Sequence, residues 1–357
     1  MVFLVEFCYN LYELGEKMES IYNKTIHDLE DYFLSKNEKK FKAIQLFEWL
    51  YQKRVSSYEE ITNMKKDLLK ELALSFEIDT LEIVHVEEDQ DVSKFLFRLK
   101  DNEHIEAVLM NHDYGNSLCI STQVGCNMGC KFCESGRRKK VRNLETSELV
   151  LQILKIEEYI KKRISHVVVM GIGEPFDNYE NLTKFIEIIN HPKGIALGSR
   201  HITVSTCGVV PKIKEFSDFP YQVNLAISLH APNDEIRNKI MPINKAYPID
   251  ELFKAISEYI KKTNRRVTFE YILLQGVNDS DACAYLLSNR VKNMNCYINL
   301  IPYNETNNID FKRSKTIQIN RFYDILKKEN INVTKRREFG SKISAACGQL
   351  RSKKEES

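Results

Sequence analysis

The segment Gly125-Cys126-Asn127-Met128-Gly129-Cys130-Lys131-Phe132-Cys133 carries three cysteines at the spacing C-x3-C-x2-C, directly after an apolar, strand-like run from Leu118 to Val124. Thiolates at this spacing can converge on one metal centre. A structural zinc ion and a four-iron cluster each take four ligands, and no fourth cysteine or histidine lies nearby in the sequence. Three thiolates around a four-iron cluster would leave one iron open to a small molecule.

Two other interpretations of the three cysteines stay open at this point. One is a zinc knuckle whose fourth ligand comes from a distant segment, and the other is three unrelated thiols, since free cysteine is common in protein cores. Phe132 favours the cluster, because an apolar side chain beside the cysteines would shield a cluster from water.

The composition is that of an ordinary globular protein, with 43% hydrophobic and 29% charged residues in a chain of 357. A net charge of +2 means that nucleic acid would have to be bound by local basic patches. Nine cysteines in a chain this long do not form a secreted disulfide scaffold. No segment approaches about 18 uninterrupted apolar residues, so we expect a cytoplasmic protein without a membrane partner.

Alternating apolar and amphipathic stretches predict the main domain. Strand candidates lie at 117–123, 166–171, 201–206, 222–229, 266–274 and 296–303, and helix candidates at 145–163, 178–190, 210–217, 249–262, 280–291 and 316–328. This alternation implies parallel strands joined by right-handed crossovers. We therefore expect the α/β class and a partial (β/α)6 barrel that is open on one side. The cysteine segment follows the first strand and should lie at the C-terminal face of the barrel.

We divide the chain into five parts. Residues 1–17 are expected to be a disordered or peripheral extension, 18–75 a small helical domain, and 76–115 a β linker region that forms a small hairpin or sheet. The barrel should span 116–337, where 331–337 reads as a late strand, and a tail with Cys347 should span 338–357.

Several strand ends carry polar groups that could bind a ligand. Gly171-Ile172-Gly173-Glu174-Pro175 follows an apolar strand, and its glycines would let backbone approach a ligand while Glu174 accepts hydrogen bonds from an ammonium group. A dinucleotide-binding fingerprint is the rival interpretation, but Phe176 stands where its third glycine should be. Ser205, Ser228, His230 and Asn304 also follow or end strands, where hydroxyl groups often merely cap the next helix.

Basic runs at Arg137–Arg142 and Lys335–Arg337 should border the barrel mouth, where phosphate contact is at least as expected as a solvated face. Glu106 lies in a predicted strand, where an acidic residue is ordinarily solvated. Inert buried thiols are the ordinary expectation for Cys119 and Cys347. The remaining cysteines, Cys8, Cys207, Cys283 and Cys296, are interpreted as structural.

The spacing C-x3-C-x-F-C resembles the signature of the radical S-adenosylmethionine (SAM) superfamily. The whole set of motifs, over about residues 26–351, is similar to the RlmN branch of the RlmN/Cfr family of radical-SAM RNA methyltransferases. The motifs are Gln123–Cys126, Gly171–Pro175, Ser228–Asn233, Met241–Asn244 and Ala346–Leu350. The resemblance implies a four-iron–four-sulfur (4Fe-4S) cluster held by Cys126, Cys130 and Cys133. It also implies SAM contacts at Gly173, Glu174, Ser205, Ser228, Leu229, His230 and Asn304.

The family's substrates are an adenine in the peptidyl-transferase centre of 23S rRNA, adenosine 2503, and adenosine 37 of some tRNAs. The C2 carbon of adenine is electron-poor and cannot attack a SAM methyl group, so a radical route is required. By resemblance, Cys347 takes a methyl group from one SAM, and a second SAM on the open iron is cleaved to a radical that takes a hydrogen atom from that methyl group. The carbon radical adds to C2, Glu106 accepts the C2 proton, and Cys119 releases the RNA through a transient disulfide with Cys347.

The resemblance also implies an electron donor such as flavodoxin or ferredoxin, and we expect a monomer. One alternative is a Cfr-type enzyme that methylates C8 of the same adenine and confers antibiotic resistance, although Pro175 favours the C2 branch. Another class is a non-catalytic, metal-containing RNA-binding protein. Cys207, Glu134-Ser135-Gly136 and Ser341–Ser344 depart from the usual family pattern, and none of them stands at a position with a proposed chemical role.

Overall fold

The computed structural model describes residues 18–306, 308–336, 343, 345 and 348–350. Its strands are β1 (Glu19–Ser20), β2 (Phe76–Glu77), β3 (Glu82–Asp89), β4 (Val92–Arg98), β5 (His104–His112), β6 (Gly115–Cys119), β7 (Gln123–Val124), β8 (Arg142–Asn143), β9 (His166–Val169), β10 (Ile202–Thr206), β11 (Asn224–Ser228), β12 (Val267–Leu273), β13 (Cys296–Pro302) and β14 (Val333–Lys335).

Ten α-helices accompany these strands in the described part of the chain. They are α1 (Ile26–Ser35), α2 (Phe41–Phe47), α3 (Lys66–Ser75), α4 (Thr146–Ile160), α5 (Tyr179–Asn190), α6 (Val210–Phe216), α7 (Asp234–Ile240), α8 (Ile249–Thr263), α9 (Asp281–Val291) and α10 (Thr316–Lys328). A π-helix, Glu48–Lys53, continues α2.

One ten-stranded sheet organises the molecule, in the order β14-β13-β12-β11-β10-β9-β6-β5-β4-β3. The strands from β6 to β14 pair in parallel, and β3, β4 and β5 continue the sheet as antiparallel neighbours of β6. The sheet ends at β14 and β3 and does not close within the described residues. The predicted fold class, a partial radical-SAM barrel, is confirmed, and β14 adds a seventh parallel strand.

Local sequence explains the crossover helices. Helix α8 directs Ile249, Leu252 and Ile256 into the core, and its charged residues lie on the opposite face. It ends at Asn264 in the left-handed conformation, with φ of 53°. Helix α9 begins where the Ser280 hydroxyl accepts a hydrogen bond from the Cys283 N–H.

The structure adds two features to the fold expected from the sequence. Strands β3, β4 and β5 of the segment at 76–115 are antiparallel, and they extend the barrel sheet because β5 pairs with β6. Helix α7 was not predicted, since seven residues give little periodicity. Among the described residues, no helix has both the length and the apolar character needed to cross a membrane.

Candidate active site

A cavity opens at the C-terminal ends of the parallel strands, where a barrel is expected to hold its site. Its walls include Cys119 at the end of β6, Val169 of β9, Ser205 of β10, Ser228 of β11, Glu270 and Ile272 of β12, and Ile301 of β13. The segment with Cys126, Cys130 and Cys133 covers it from one side. The predicted position of the cysteine segment at this face is therefore confirmed.

Backbone contacts hold the cysteine segment in place. The Cys126 N–H donates to the Arg138 carbonyl oxygen at 2.9 Å, and the Lys131 N–H donates to the Ile240 carbonyl oxygen at 2.9 Å. Gly125 has φ of +75°, and a Cβ there would lie 2.3 Å from the Lys139 carbonyl oxygen, so only glycine fits. The segment is thus anchored on both sides while its thiols face the cavity.

Burial raises the pKa of the Cys126 thiol to about 12 and raises that of Cys130 still further. Cys133 contributes to the rise in pKa at both of these thiols, and Cys126 contributes to it at Cys130, because neighbouring thiolates repel one another. Without a cation among them, three thiolates here are unfavourable. A positively charged metal centre would reverse that preference.

The geometry of the thiols can be compared with the two metal centres. Sulfurs around a tetrahedral zinc ion lie about 3.8 Å apart, given a Zn–S bond of about 2.3 Å. Among the described residues, no three Cys, His, Asp or Glu side chains are close enough to hold one metal ion. A four-iron cluster takes each thiolate at a different corner of a cube and so accepts a wider spacing. Cys126, Cys130 and Cys133 all line one cavity, as the thiolate ligands of a cluster with one open iron would have to do.

Glu174 lies at the turn after β9 and is only 3% exposed. Its carboxylate accepts hydrogen bonds from the Phe176 N–H at 3.1 Å and the Cys207 N–H at 2.8 Å, and its own N–H donates to the Gln123 side chain at 2.9 Å. Burial raises the pKa of Glu174, and the two N–H donors oppose that rise. The carboxylate lines the cavity and can still accept a hydrogen bond from a bound ammonium group.

His230 follows β11 in the left-handed conformation, with φ of 57°. Its Nδ1 accepts a hydrogen bond from the Ile272 N–H at 3.0 Å, so the neutral ring carries its proton on Nε2. Burial, assisted by the nearby Arg237 cation, lowers the pKa of His230 to about 3. The ring packs edge-on against Phe132 at 4.9 Å, so a neutral imidazole and an aromatic ring adjoin the cysteine segment.

Arg237 is a functional candidate that the sequence analysis missed. It is fully buried, and its guanidinium donates hydrogen bonds to the carbonyl oxygens of Cys207 at 2.6 Å and Leu229 at 3.2 Å. A further donation reaches the Asn244 side chain at 2.9 Å. Its charge lowers the pKa of Cys130. Only the tertiary structure reveals this cation, because Arg237 lies in a short helix that reads as a polar surface helix.

The faces of β5 and β6 bring two predicted residues together. Cys119 pairs with Val108 across the strands, and Glu106 lies two residues before Val108 on the same face. Glu106 is only 5% exposed on an interior strand, so the expectation that it is solvated is wrong. Ala345 and Leu350 pack on this face beside Val108. Cys347 itself lies outside the described residues. Residues 1–17, which include Cys8, also lie outside them.

The remaining predicted residues divide into two groups. Those that line the cavity are Gly173, Glu174, Ser205, Ser228 and His230. Leu229 and Asn304 are buried, 0% and 8% exposed, outside its described lining. Cys283 and Cys296 pack in the main core, as expected of structural thiols. Cys207 is also buried but lines the cavity, and Glu270 is a buried acid there that the sequence analysis did not single out.

Most of the basic run after the cysteines is engaged in ion pairs. Arg138 pairs with Glu103, Lys140 with Asp177, and Arg142 with both Asp101 and Glu148. Lys139 is exposed, which leaves it available to a phosphate group. Phosphate contact by the whole run remains a prediction, and Arg337 of the second run lies outside the described residues.

Comparisons with known proteins agree with this site. Residues 120–286 match the family described as Radical SAM superfamily, and residues 20–78 match the Ribosomal RNA large subunit methyltransferase N-terminal domain. A protein of Enterococcus faecalis named "Probable dual-specificity RNA methyltransferase RlmN" is 54% identical over 344 residues, which cover 94% of this chain and 96% of that protein. A protein of the same name from Spiroplasma citri is 51% identical over 95% of this chain and 99% of its own length.

A solved structure of a similar protein has the same fold as this chain. The crystal structure of a radical SAM methyltransferase from Sphaerobacter thermophilus matches with a TM-score of 0.88 and 40% identity, over 94% of this chain and 100% of that chain. The chain therefore belongs to the RlmN family of radical-SAM RNA methyltransferases.

Proposed function

We propose that this protein methylates C2 of an adenine in 23S rRNA, adenosine 2503, and C2 of adenosine 37 in some tRNAs. We further propose that the methyl group travels on Cys347 and that protein and RNA are joined by a transient covalent bond. The observation that carries the proposal is the anchoring of the tail around Cys347. Ala345 and Leu350 pack on the face that presents Cys119 and Glu106.

Cys126, Cys130 and Cys133 would hold the cluster, which supplies the electron for reductive cleavage of SAM when it is bound. The Glu174 carboxylate would accept hydrogen bonds from the SAM ammonium group, since it lines the cavity beside these cysteines. The neutral His230 ring would donate from Nε2, because its Nδ1 is already an acceptor. Phe132 and the apolar walls would exclude water from the reacting groups.

Three side chains would take part in the transfer of the methyl group to the RNA. The Cys347 sulfur takes a methyl group from SAM by displacement, and its methylene carbon later bonds to C2. The Glu106 carboxylate accepts the proton that C2 loses. The Cys119 sulfur then bonds to the Cys347 sulfur, and the sulfur–carbon bond to the RNA breaks with its electron pair left on the carbon, which takes a proton from solvent to complete the methyl group. The one unpaired electron of the adduct would return to the bound cluster. The resulting disulfide must be reduced before the next turnover.

The partners follow from this chemistry. Each turnover uses two SAM molecules, one as methyl donor and one as radical source, so an electron donor of the flavodoxin or ferredoxin type is required. We infer a monomer that acts in the cytoplasm, where its RNA substrates are. Lys139, exposed beside the cysteine segment, is a candidate phosphate contact for the RNA.

The test is SAM-dependent methylation of protein-free 23S rRNA fragments and of tRNA by the anaerobically reconstituted protein. Mass spectrometry of the nucleosides then identifies the modified atom. The proposal requires 2-methyladenosine at the stated positions. Formation of 8-methyladenosine would support the Cfr-type alternative instead, and RNA binding without SAM consumption would support the non-catalytic one.

A further inference from the structure

If the proposed function holds, Glu106 needs a route to solvent for the proton that it accepts. Its side chain is 7% exposed, and its strand lies in the interior of the sheet between β4 and β6. A buried carboxyl group that gains a proton in each turnover must lose it before the next one. The proton therefore needs a path of polar groups from the face of β5 to the solvent.

Lys94 lies where such a path must begin. It is on β4, 8% exposed, and its Nζ is 3.7 Å from the Glu106 carboxylate. The strand register explains the contact, since Lys94 pairs with Val108 and Leu96 pairs with Glu106. Lys94 and Glu106 are thus diagonal neighbours on one face of the sheet.

The same ammonium group contacts a second carboxylate. Lys94 pairs with Glu87 of β3, and its Nζ is 2.9 Å from the Glu87 carboxylate. The Glu87 side chain is 36% exposed, and the imidazole of His85, 53% exposed, lies 4.0 Å from it. Exposure therefore rises stepwise from Glu106 through Lys94 to Glu87 and His85.

We propose that Lys94 is a positioning residue that holds the Glu106 carboxylate in place before the reaction and then conducts the proton from Glu106 to Glu87. As the C2–H bond breaks, the electron pair stays in the adenine ring and the proton bonds to the Glu106 carboxylate. Lys94 then releases a proton to Glu87 as it accepts one from Glu106. Glu87 returns its proton to water. No electron leaves these groups, and each ends in its starting state.

The alternative is a purely electrostatic pair, and Lys94→Arg separates the two. Arginine keeps the charge but does not deprotonate in proteins, so it can hold Glu106 without passing a proton. Glu87→Gln removes the terminal acceptor at a partly exposed position where folding is not at risk. Glu82→Gln is the matched control, because Glu82 lies on the same strand but pairs with Arg98.

The experiment follows the covalent protein–RNA adduct in the full-length, cluster-loaded protein after rapid quenching, on denaturing gels. Methylation of Cys347 and SAM cleavage are measured in the same samples. We expect the first adduct to form and decay at the unmodified rate in every variant, because Glu106 has not yet accepted a proton. In Lys94→Arg and Glu87→Gln, later turnovers, measured as methylated RNA with reductant in excess, should be on the order of tenfold slower, the low end of a proton-transfer contribution. Glu82→Gln should match the unmodified protein in every turnover, and first-turnover Cys347 methylation and SAM cleavage should be unchanged in all four proteins.

Later turnovers at the unmodified rate in Lys94→Arg would overturn the relay and leave only an ion pair. Slow later turnovers in Lys94→Arg together with normal ones in Glu87→Gln would overturn the path through Glu87. A protein that never methylates Cys347 would fail at the proposed function instead, and the relay would fail with it. A normal first turnover followed by slow later ones is a signal that a structural role would not give.

Discussion

The Glu134 N–H donates a hydrogen bond to the Gly348 carbonyl oxygen over 2.8 Å. Glu134 directly follows Cys133, and Gly348 directly follows Cys347. The residues that follow these two cysteines are therefore hydrogen-bonded to each other. The Ser135 hydroxyl extends the contact by donating to the Leu350 carbonyl oxygen at 2.8 Å. The cysteine segment and the C-terminal tail are therefore one structural unit, which would fix the methyl carrier relative to the radical source.

Replacing Cys119 with alanine should trap a covalent protein–RNA adduct, because the sulfur that would release the RNA is gone. Labelled RNA should remain bound to the protein on a denaturing gel, and methylated RNA should fall below detection. Cys296→Ala is the control, since Cys296 is buried in the main core away from the cavity. Normal turnover by Cys119→Ala would show that Cys119 is only structural.

Replacing Cys347 with alanine should abolish methylated RNA while the cluster still assembles, because the methyl carrier is lost and the cluster ligands remain. Iron and sulfide analysis and the absorbance of the cluster test the second half of this prediction. Methylation of the protein itself by SAM, measured by intact-protein mass spectrometry, should disappear. A fully active Cys347→Ala protein would contradict the carrier role.

Replacing Gly348 with alanine should slow turnover, because this residue has φ of +84° beside Cys347. The nearest atom to a new Cβ is the Phe132 carbonyl oxygen at 3.5 Å, so the cost is backbone strain of about 1–2 kcal/mol and not a collision. Gly276→Ala is the matched control, with φ of +70° and open space around it. Both variants should lose similar thermal stability, and only Gly348→Ala should lose methylation rate. Equal rates in the two variants would show that the tail conformation is unimportant.

The stability of the protein should fall as pH decreases below about 6.5, in part because of His230. Its folded pKa of about 3 lies below the ordinary value of 6.5, so the unfolded chain binds a proton that the folded protein excludes. The contribution of His230 is complete above pH 6.5 and decreases as pH falls toward 3. In His230→Gln, melting temperatures between pH 7.5 and pH 5 should fall less than in the unmodified protein.

The control for this pH series is His27→Gln, because His27 has a side chain that is 78% exposed. That variant should lose as much melting temperature as the unmodified protein over the same range. If His230→Gln loses just as much, the neutral imidazole of His230 does not contribute to the pH dependence.

The sequence was most informative where local pattern decides structure. Alternating strand and helix periodicities predicted the parallel sheet, because each crossover unit encodes its own pairing. The same periodicities could not show that β5 pairs with β6, because the sequence pattern of an antiparallel strand does not indicate which strand lies next to it. The glycine-containing turn before Glu174 was recognisable because its chemistry lies in consecutive residues.

Other features of the site depend on groups that are distant in sequence. Arg237 is buried because carbonyl oxygens of Cys207 and Leu229 surround its guanidinium, which helix periodicity does not reveal. The basic run was interpreted as available charge, but Glu103 pairs with Arg138 and Asp101 pairs with Arg142 from the β4–β5 connection. Pairing across such separations needs the fold.

The most direct test of the account uses SAM with a trideuterated methyl group, followed by mass spectrometry of the methylated adenosine and of the 5′-deoxyadenosine. If Cys347 carries the carbon and loses one hydrogen atom to the radical, the product methyl group retains two deuterium atoms and the third appears in 5′-deoxyadenosine. A product methyl group that retains all three would mean direct transfer from SAM to RNA and would contradict the account.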